Sequence, residues 1–322
     1  MEVLQLNTKE QEVITESSTK PFIMANTIGS SLKEIRDQHI IPVFVKDNEP
    51  VISQADFIDT TVDVVQHIFK GEAILSPSVR LSHPIKGRIP EAKDKPANQL
   101  KEAEKTIYYE RMAFIIEVPG ITEIIDGNEL SLTIGGIKSY NLDNLYNKKG
   151  ADEHFKIFIG FQNKVCTNLC VWSDGYVADL RVKNNTQLLD GIFNLVSNYN
   201  AKLHLERLNE LTHYNLSEYQ FAQLVGRCKM YQFLPQGIRK EIPELQFGDN
   251  QIGMVVKDYY SDQSFCKADN GEINLWRLYN LFTGANKSSY IDTFLDRGLN
   301  AWEFSNNIKQ ALAGNESNWF LS

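Results

Sequence analysis

The chain has 322 residues, a hydrophobic share of 42% and a formal net charge of −8 at pH 7. That is enough apolar material for a packed core, and the acidic balance argues against indiscriminate polyanion binding. No apolar run reaches the roughly 18 residues that cross a bilayer, the N-terminal stretch lacks the basic-then-apolar order of a secretion signal, and four scattered cysteines make no disulfide framework, so a cytoplasmic setting is expected.

Residues 1–20 are polar and read as a disordered lead. Residues 22–26 are more apolar and are expected to dock. Ser30 or Ser31 caps a short helix ending near Arg36, with Leu32 and Ile35 inward. A strand over 39–45 follows, Pro42 marking an edge or a strand start. Phe57, Ile58, Thr61, Val62, Val65, Ile68 and Phe69 recur at helical spacing over 53–69, and Gly71 ends that helix. Residues 76–98 carry Pro77, Pro84, Pro90 and Pro96 among basic side chains, which predicts a long irregular loop or linker with one isolated histidine, His83. A short helix over 98–105 leads to a strand over 106–118 whose apolar run from Met112 to Ile116 suits a central strand. Asp126-Gly127-Asn128 turns a hairpin between 121–125 and 129–137. Gly135-Gly136 predicts a bulge or a close backbone approach, without the spacing of a phosphate-binding loop. Residues 144–152, with Lys148-Lys149-Gly150, form a basic loop.

The densest run of β-forming residues spans 154–183. Phe155, Ile157, Ile159 and Phe161 alternate with more polar positions, as on a strand. Residues 162–164 turn the chain into a second strand, 165–172, with Cys166, Asn168, Cys170 and Trp172 on one face. Ser173-Asp174-Gly175 turns it again into a third, 176–182, giving a three-stranded meander. Cys166 and Cys170 sit about 13 Å apart on such a strand, too far for one tetrahedral zinc, so all four cysteines read as structural and no metal or cofactor is expected.

Helices dominate the remainder. One is expected over 186–211, capped by Asn185 or Thr186, with Leu188, Leu189, Ile192, Phe193, Val196, Tyr199 and Leu203 on its apolar stripe. Ser217-Glu218-Tyr219-Gln220 is a capping box opening a second helix that Pro235 stops. Further helices are expected over 249–260, 274–282, 288–297 and 301–312, with Trp276, Tyr279 and Phe282 in the core. Strands grouped before helices give an α+β fold, a mainly antiparallel sheet with a helical C-terminal half. The expected organisation is the lead over 1–20, a mixed sheet region over 21–185 and a helical region over 186–322 packed on the sheet as one compact unit.

The blocks RLSHPIKGRIPEAKDKPANQ, EKTIYYERMAF, LTIGGIKSYNLDNLYNKKGADEHFKIFIGFQNKVCTNLCVWSDGY, FAQLVGRCKMYQFLP and INLWRLYNLFTGANKSSYIDTFLDR resemble a family of uncharacterised proteins of Bacteroidetes mobile elements, a domain of unknown function related to a broader phage- and plasmid-borne family. The resemblance covers nearly all of the chain after about residue 20. It implies a bacterial, mobile-element accessory protein and supplies no catalytic residues.

Three functions compete. Residues 135–240 carry 13 Lys/Arg against 9 Asp/Glu inside an otherwise acidic chain. Lys148, Lys149, Lys164, Arg181 and Lys183 cluster in sequence near Trp172, a pattern that suits single-stranded DNA in annealing or recombination, cations tracking phosphates and the ring stacking on a base. The same pattern also fits outward lysines on strands over inward aromatics. The alternative is a protein-interaction or self-assembling regulatory module without catalysis. An enzyme is disfavoured: Asp174, Asp179, Asp258, Asp262 and His154 are candidate acid, base or magnesium groups, yet no motif joins a nucleophile, a base and an orienting group.

Overall fold

The computed structural model describes residues 20–38, 41–42, 52–92, 95–140 and 152–322. The expected polar lead, most of the strand over 39–45 and the Lys148–Lys149 loop lie outside them.

Eight strands form one curled antiparallel sheet. Its three longest neighbours are β3 (Ser78–Arg88), β4 (Lys105–Ile125) and β5 (Asn128–Ser139). β6 (Glu153–Asn163) follows β5, so the central order is β3-β4-β5-β6. Both outer positions are filled by broken strands. β1 (Ile28–Ser30) and β2 (Ile41–Pro42) share the free side of β3, while β7 (Leu169–Cys170) and β8 (Tyr176–Val182) share the free side of β6. Short, interrupted edges offer little continuous backbone to another sheet.

The segment expected to be a proline-rich loop is therefore a strand of the sheet. Leu81 and Val79 fill its core face, and the ladder to β4 runs from Ser78↔Ile115 to Arg88↔Lys105. Pro84 is tolerated because it falls between the stretches that β1 and β2 cover, where that side of β3 is open. His83, just before it, adopts φ +61 and pairs its Nδ1 with Ser82 Oγ at 2.8 Å. The expected short helix after this segment is two single 3-10 turns, Ala97–Gln99 and Glu102–Glu104.

The β4–β5 hairpin forms as its turn chemistry requires: Asp126 and Gly127 both take positive φ, +48 and +75. The glycine pair of β5 marks close approach. A Cβ on Gly135 would strike the Phe114 carbonyl, and one on Gly136 would strike the Phe57 ring. That ring belongs to α2 (Gln54–Ile68), which a capping box starts: Asp56 N donates to Ser53 Oγ at 3.0 Å and Ser53 N donates to Asp56 Oδ2 at 2.9 Å. Phe57 meets Phe114 at 5.0 Å and Phe155 at 4.7 Å, both edge-on, which docks α2 on one face of the sheet.

The expected meander is corrected. After β6 the chain turns at 164–166 and Thr167 takes φ +58, so residues 165–168 do not extend as a strand. β7 pairs with Phe161 and Gln162, and β8 pairs with the other end of β6, from Glu153↔Val182 to Phe158↔Tyr176. The two are successive pieces of one edge, separated by a 3-10 turn at Ser173–Gly175.

The helical half differs from expectation in two places. The stretch read as one helix is two, α3 (Asn185–Asn198) and α4 (Ala201–Glu210). Asn184 rather than Asn185 caps the first, and Asn200 caps the second by accepting from Leu203 N at 3.0 Å. Of its expected stripe, Leu188, Ile192 and Val196 are buried, while Leu189 and Phe193 face solvent. Conversely, the two segments expected over 288–297 and 301–312 are one 22-residue helix, labelled α9 (Ile291–Leu312) below. Gly298 is kept inside it by packing: a Cβ there would lie 3.2 Å from Val171 Cγ2. Between these elements lie β9 (Asn215–Leu216), α5 (Glu218–Tyr231), α6 (Gln236–Arg239), α7 (Asp249–Ser261), β10 (Ile273–Asn274) and α8 (Leu275–Asn286). No described helix is long and apolar enough to cross a membrane.

One large core runs from α2 through the sheet into α8 and α9, including Phe57, Phe114, Phe161, Trp276, Tyr279 and Phe304. A second core covers the other sheet face, where Phe22 and Ile23 pack with Ile115, Phe158, Val171, Phe294 and Leu295. The Phe22–Asn26 stretch thus docks as a strap. Met24 N donates to Lys287 O at 2.8 Å. Lys287 Nζ donates to the Cys166 carbonyl and, at 2.7 Å, to Thr167 Oγ1. Burial lowers the Lys287 pKa to about 8.

Candidate functional site

The concave site on the molecule is a cleft of about 530 Å3 lined by Trp172, Ser173, Arg207, Trp302, Glu303, Asn306, Asn307 and Gln310. Its position follows from the fold. Trp172 stands where the edge strand breaks between β7 and β8, so its ring is released from the ladder. Arg207 comes from α4, and the other wall is one face of α9. Trp302, Glu303, Asn306, Asn307 and Gln310 occupy positions i, i+1, i+4, i+5 and i+8, the spacing that puts side chains on one helical face.

Beneath the cleft lies His204, fully buried. Its ring lies 5.3 Å from Trp172, inclined by 31°, and 6.3 Å from Trp302, nearly edge-on. Phe161 at 5.7 Å closes the far side. His204 Nδ1 and Tyr199 Oη are 2.5 Å apart, whereas Nε2 has no partner among the described residues. Burial drives the His204 pKa down to about 3, so the imidazole is neutral at neutral pH. Burial also raises the Tyr199 and Tyr279 hydroxyls and the Cys170 thiol, leaving a neutral polar cluster under the indoles.

The rim is ionic and balanced. Arg207 Nη1 donates to Glu210 Oε1 at 3.0 Å, and Lys309 Nζ donates to Glu210 Oε2 at 2.6 Å. Glu303 has its pKa raised by burial first and by Glu244 second. The Gln310 carboxamide oxygen accepts from Asn315 Nδ2 at 2.7 Å. Among the described residues no hydrogen bond engages the Asn306 or Asn307 side chain, so both carboxamides face the cleft unpaired.

The residues singled out from the sequence are dispersed. Trp172 lines the cleft but is only 8% exposed, its ring covered by His204. Lys164 lies just past the Asn163 end of β6 and pairs with Glu129 at 2.7 Å. Arg181 and Lys183 lie at the Glu153 end, pairing with Asp179 at 2.7 Å and Asp152 at 3.7 Å. About ten residues of β6 separate the two groups, roughly 33 Å of strand. Lys148 and Lys149 lie outside the described residues.

Of the candidate acid–base groups, the fold joins His154 and Asp179, with Nδ1 and Oδ1 2.9 Å apart. Arg181 holds the other oxygen and is the main cause of the lowered Asp179 pKa, with His154 adding to it. Asp258 is raised by burial and by neighbouring Asp262. Among the described residues no group of three or more His, Cys, Asp and Glu is placed to hold a metal ion. A second polar seam ties α9 to the sheet: Lys156 donates to Asp296 Oδ2 at 2.5 Å, and Tyr176 Oη donates to Asp296 Oδ1 at 2.6 Å.

Arg207, His204, Trp302, Asn306, Asn307 and Gln310 were not marked by sequence reasoning. The one available signal was the carboxamide-rich i, i+4 face of α9, which in a sequence looks like any solvent-facing helix side.

Comparison with curated proteins and with solved structures returns no match. One family model does match, described as a domain of unknown function, B. Theta gene description, over residues 4–321. The chain therefore belongs, along almost its whole length, to the domain-of-unknown-function family DUF3871.

Proposed function

We propose that the protein is a binding module that takes a polar ligand into the Trp172–Trp302 cleft and carries out no covalent step on it. The observation that supports this reading is the pair of unpaired carboxamides, Asn306 and Asn307, on the cleft face of α9. Polar groups held in a concave site on a rigid helix fix a ligand's orientation. The neutral aromatic cluster around His204 makes the floor stiff. The setting that accompanies this reading is the one the sequence resemblance implies, a bacterial cytoplasm and an accessory role on a mobile element.

The test is a thermal-shift screen of the whole chain against neutral oligosaccharides, single-stranded oligonucleotides and short peptides, repeated with Asn307→Trp, which fills the cleft from a partly exposed position. Stabilisation of the native chain by one class, lost in the filled variant, is expected. Absence of any shift across all three classes refutes the reading.

A second reading, single-stranded nucleic acid, is favoured by Arg207 standing in the cleft with Trp172. The guanidinium suits a phosphate and the indole edge a base. Lys164, Arg181 and Lys183, with Lys148 and Lys149, would then track the backbone after exchanging carboxylates for phosphates. Fluorescence anisotropy of labelled single-stranded DNA at two salt concentrations decides: binding that weakens steeply with salt is expected, and flat anisotropy at low salt ends this reading.

A further inference from the structure

We infer that the ligand of the Trp172–Trp302 cleft is an uncharged carbohydrate chain. This rests on the binding reading above and adds the chemistry of the ligand. Charge is the first argument. Two cations, Arg207 and Lys309, stand at the cleft with two carboxylates, Glu210 and Glu303, and both cations bond Glu210. The cleft therefore has no net positive field to draw in a phosphodiester, and an anion entering it would approach Glu303 with Glu244 behind.

Polarity is the second. Trp172 and Trp302 are 8% and 5% exposed, so the lining presents hydroxyl, carboxamide, guanidinium and carboxylate groups with little bare ring. An acyl chain or an apolar peptide side chain would find no apolar pocket to enter. Peptide recognition also needs pockets for side chains or a free sheet edge, and the strand edge beside the cleft is already broken at Ser173–Gly175.

Hydrogen-bond pattern is the third. Each carboxamide of Asn306 and Asn307 offers two donors and an acceptor side by side; Gln310, its oxygen already accepting from Asn315, offers donors. Glu303 only accepts and Arg207 only donates. A sugar hydroxyl both donates and accepts, and neighbouring hydroxyls do so in pairs at the spacing of a carboxamide or carboxylate. One face of α9 repeats such groups at i, i+4 and i+8, a span of about 12 Å, which suits a chain of sugar units over a single ring. His204, wedged under both indoles, keeps the floor in place before the ligand arrives, which lowers the ordering cost of binding.

The test is calorimetric titration of the full chain with maltohexaose, cellohexaose, mannohexaose, xylohexaose, chitohexaose and a linear galactan. At least one is expected to bind with an affinity that hardly changes with salt, since no counterions are released. Asn306→Ala and Asn307→Ala should each weaken it about tenfold while leaving the melting temperature unchanged. No heat from any of these sugars at about 10 mM, a range that reaches even weak sites, overturns the inference. If labelled oligothymidylate then binds and Asn307→Trp abolishes it, the ligand class is wrong and the cleft reading stands. If oligothymidylate and the peptides also fail, the cleft reading falls with it.

Discussion

The buried imidazole of His204 gives the most direct test of the site's construction. Its folded pKa of about 3 lies below its ordinary 6.5 because burial disfavours the cation. The unfolded chain therefore binds a proton between these values that the folded chain refuses. Stability from this group is complete above pH 6.5 and is lost as pH falls toward 3. At pH 5 the unfolded form has gained about 1.5 pH units of proton binding, an expected loss of about 2 kcal/mol relative to pH 7. The assay is urea denaturation at pH 7 and pH 5 for four proteins: the native chain, His204→Phe, Tyr199→Phe and the double variant. The Tyr199 changes account for the hydroxyl that His204→Phe strands. Other titrating groups are common to all four, so the difference in pH dependence between Tyr199→Phe and the double variant isolates His204. A difference near 2 kcal/mol is expected, whatever the absolute stabilities. Parallel pH profiles would refute the claim that a sealed neutral imidazole supports the cleft.

Other expectations concern packing and charge. Lys287 has the opposite window: its pKa is lowered from 10.5 to about 8, so the unfolded chain holds the extra proton between these values and stability should rise with pH through that range, by up to about 3 kcal/mol; Lys287→Met should flatten the rise in alkaline denaturation curves. Gly136→Ala should cost about 2 kcal/mol in urea unfolding, because the new Cβ would strike Phe57 and the Lys156 carbonyl. Gly226→Ala, within α5 and with open space around it, should instead add about 0.5–1 kcal/mol. Asp296→Ala leaves the largely buried Lys156 amine and the Tyr176 hydroxyl without their carboxylate, and should cost about 3 kcal/mol, visible as a lower melting temperature.

Local chemistry was legible in the sequence wherever a few neighbouring residues decide the outcome. The Asp126–Gly127 turn, the Ser53 cap and the Ser217 capping box form as their residue types demand, because the partners lie within three positions. The α+β class follows from the grouping of strands before helices. What escaped depends on distant neighbours. Pro84 reads as a loop residue until β1 and β2 are seen to leave that side of β3 open. Gly298 reads as a helix break until Val171 packs on it, and Asn198-Tyr199-Asn200 reads as continuous helix although Asn200 caps a new one. The basic residues clustered in sequence are spread along β6 because β8 returns to its start while Lys164 stays beyond its end. The cleft was the least legible part. It is assembled from β7's end, α4 and α9, three segments separated by up to about a hundred residues, and a carboxamide on a helix carries no mark of what faces it.

The N-terminal strap has a consequence for the order in which the protein is made. Phe22 and Ile23 emerge early in synthesis, yet the pocket that receives them is completed by Ile291, Phe294 and Leu295, and the carbonyl that binds Met24 belongs to Lys287. A ribosome adding about 5–20 residues per second reaches those partners tens of seconds or less after the strap has left the exit tunnel, so the strap must wait in solvent while the β4–β5 hairpin and α2 assemble from nearer contacts. Docking the strap closes a loop of more than 260 residues, which makes it a late event paced by loop closure. The strap is thus a seal on a finished molecule: a chain stopped before residue 287 would hold much of its sheet yet leave both its beginning and one face of that sheet exposed, the kind of species that quality-control proteases remove first.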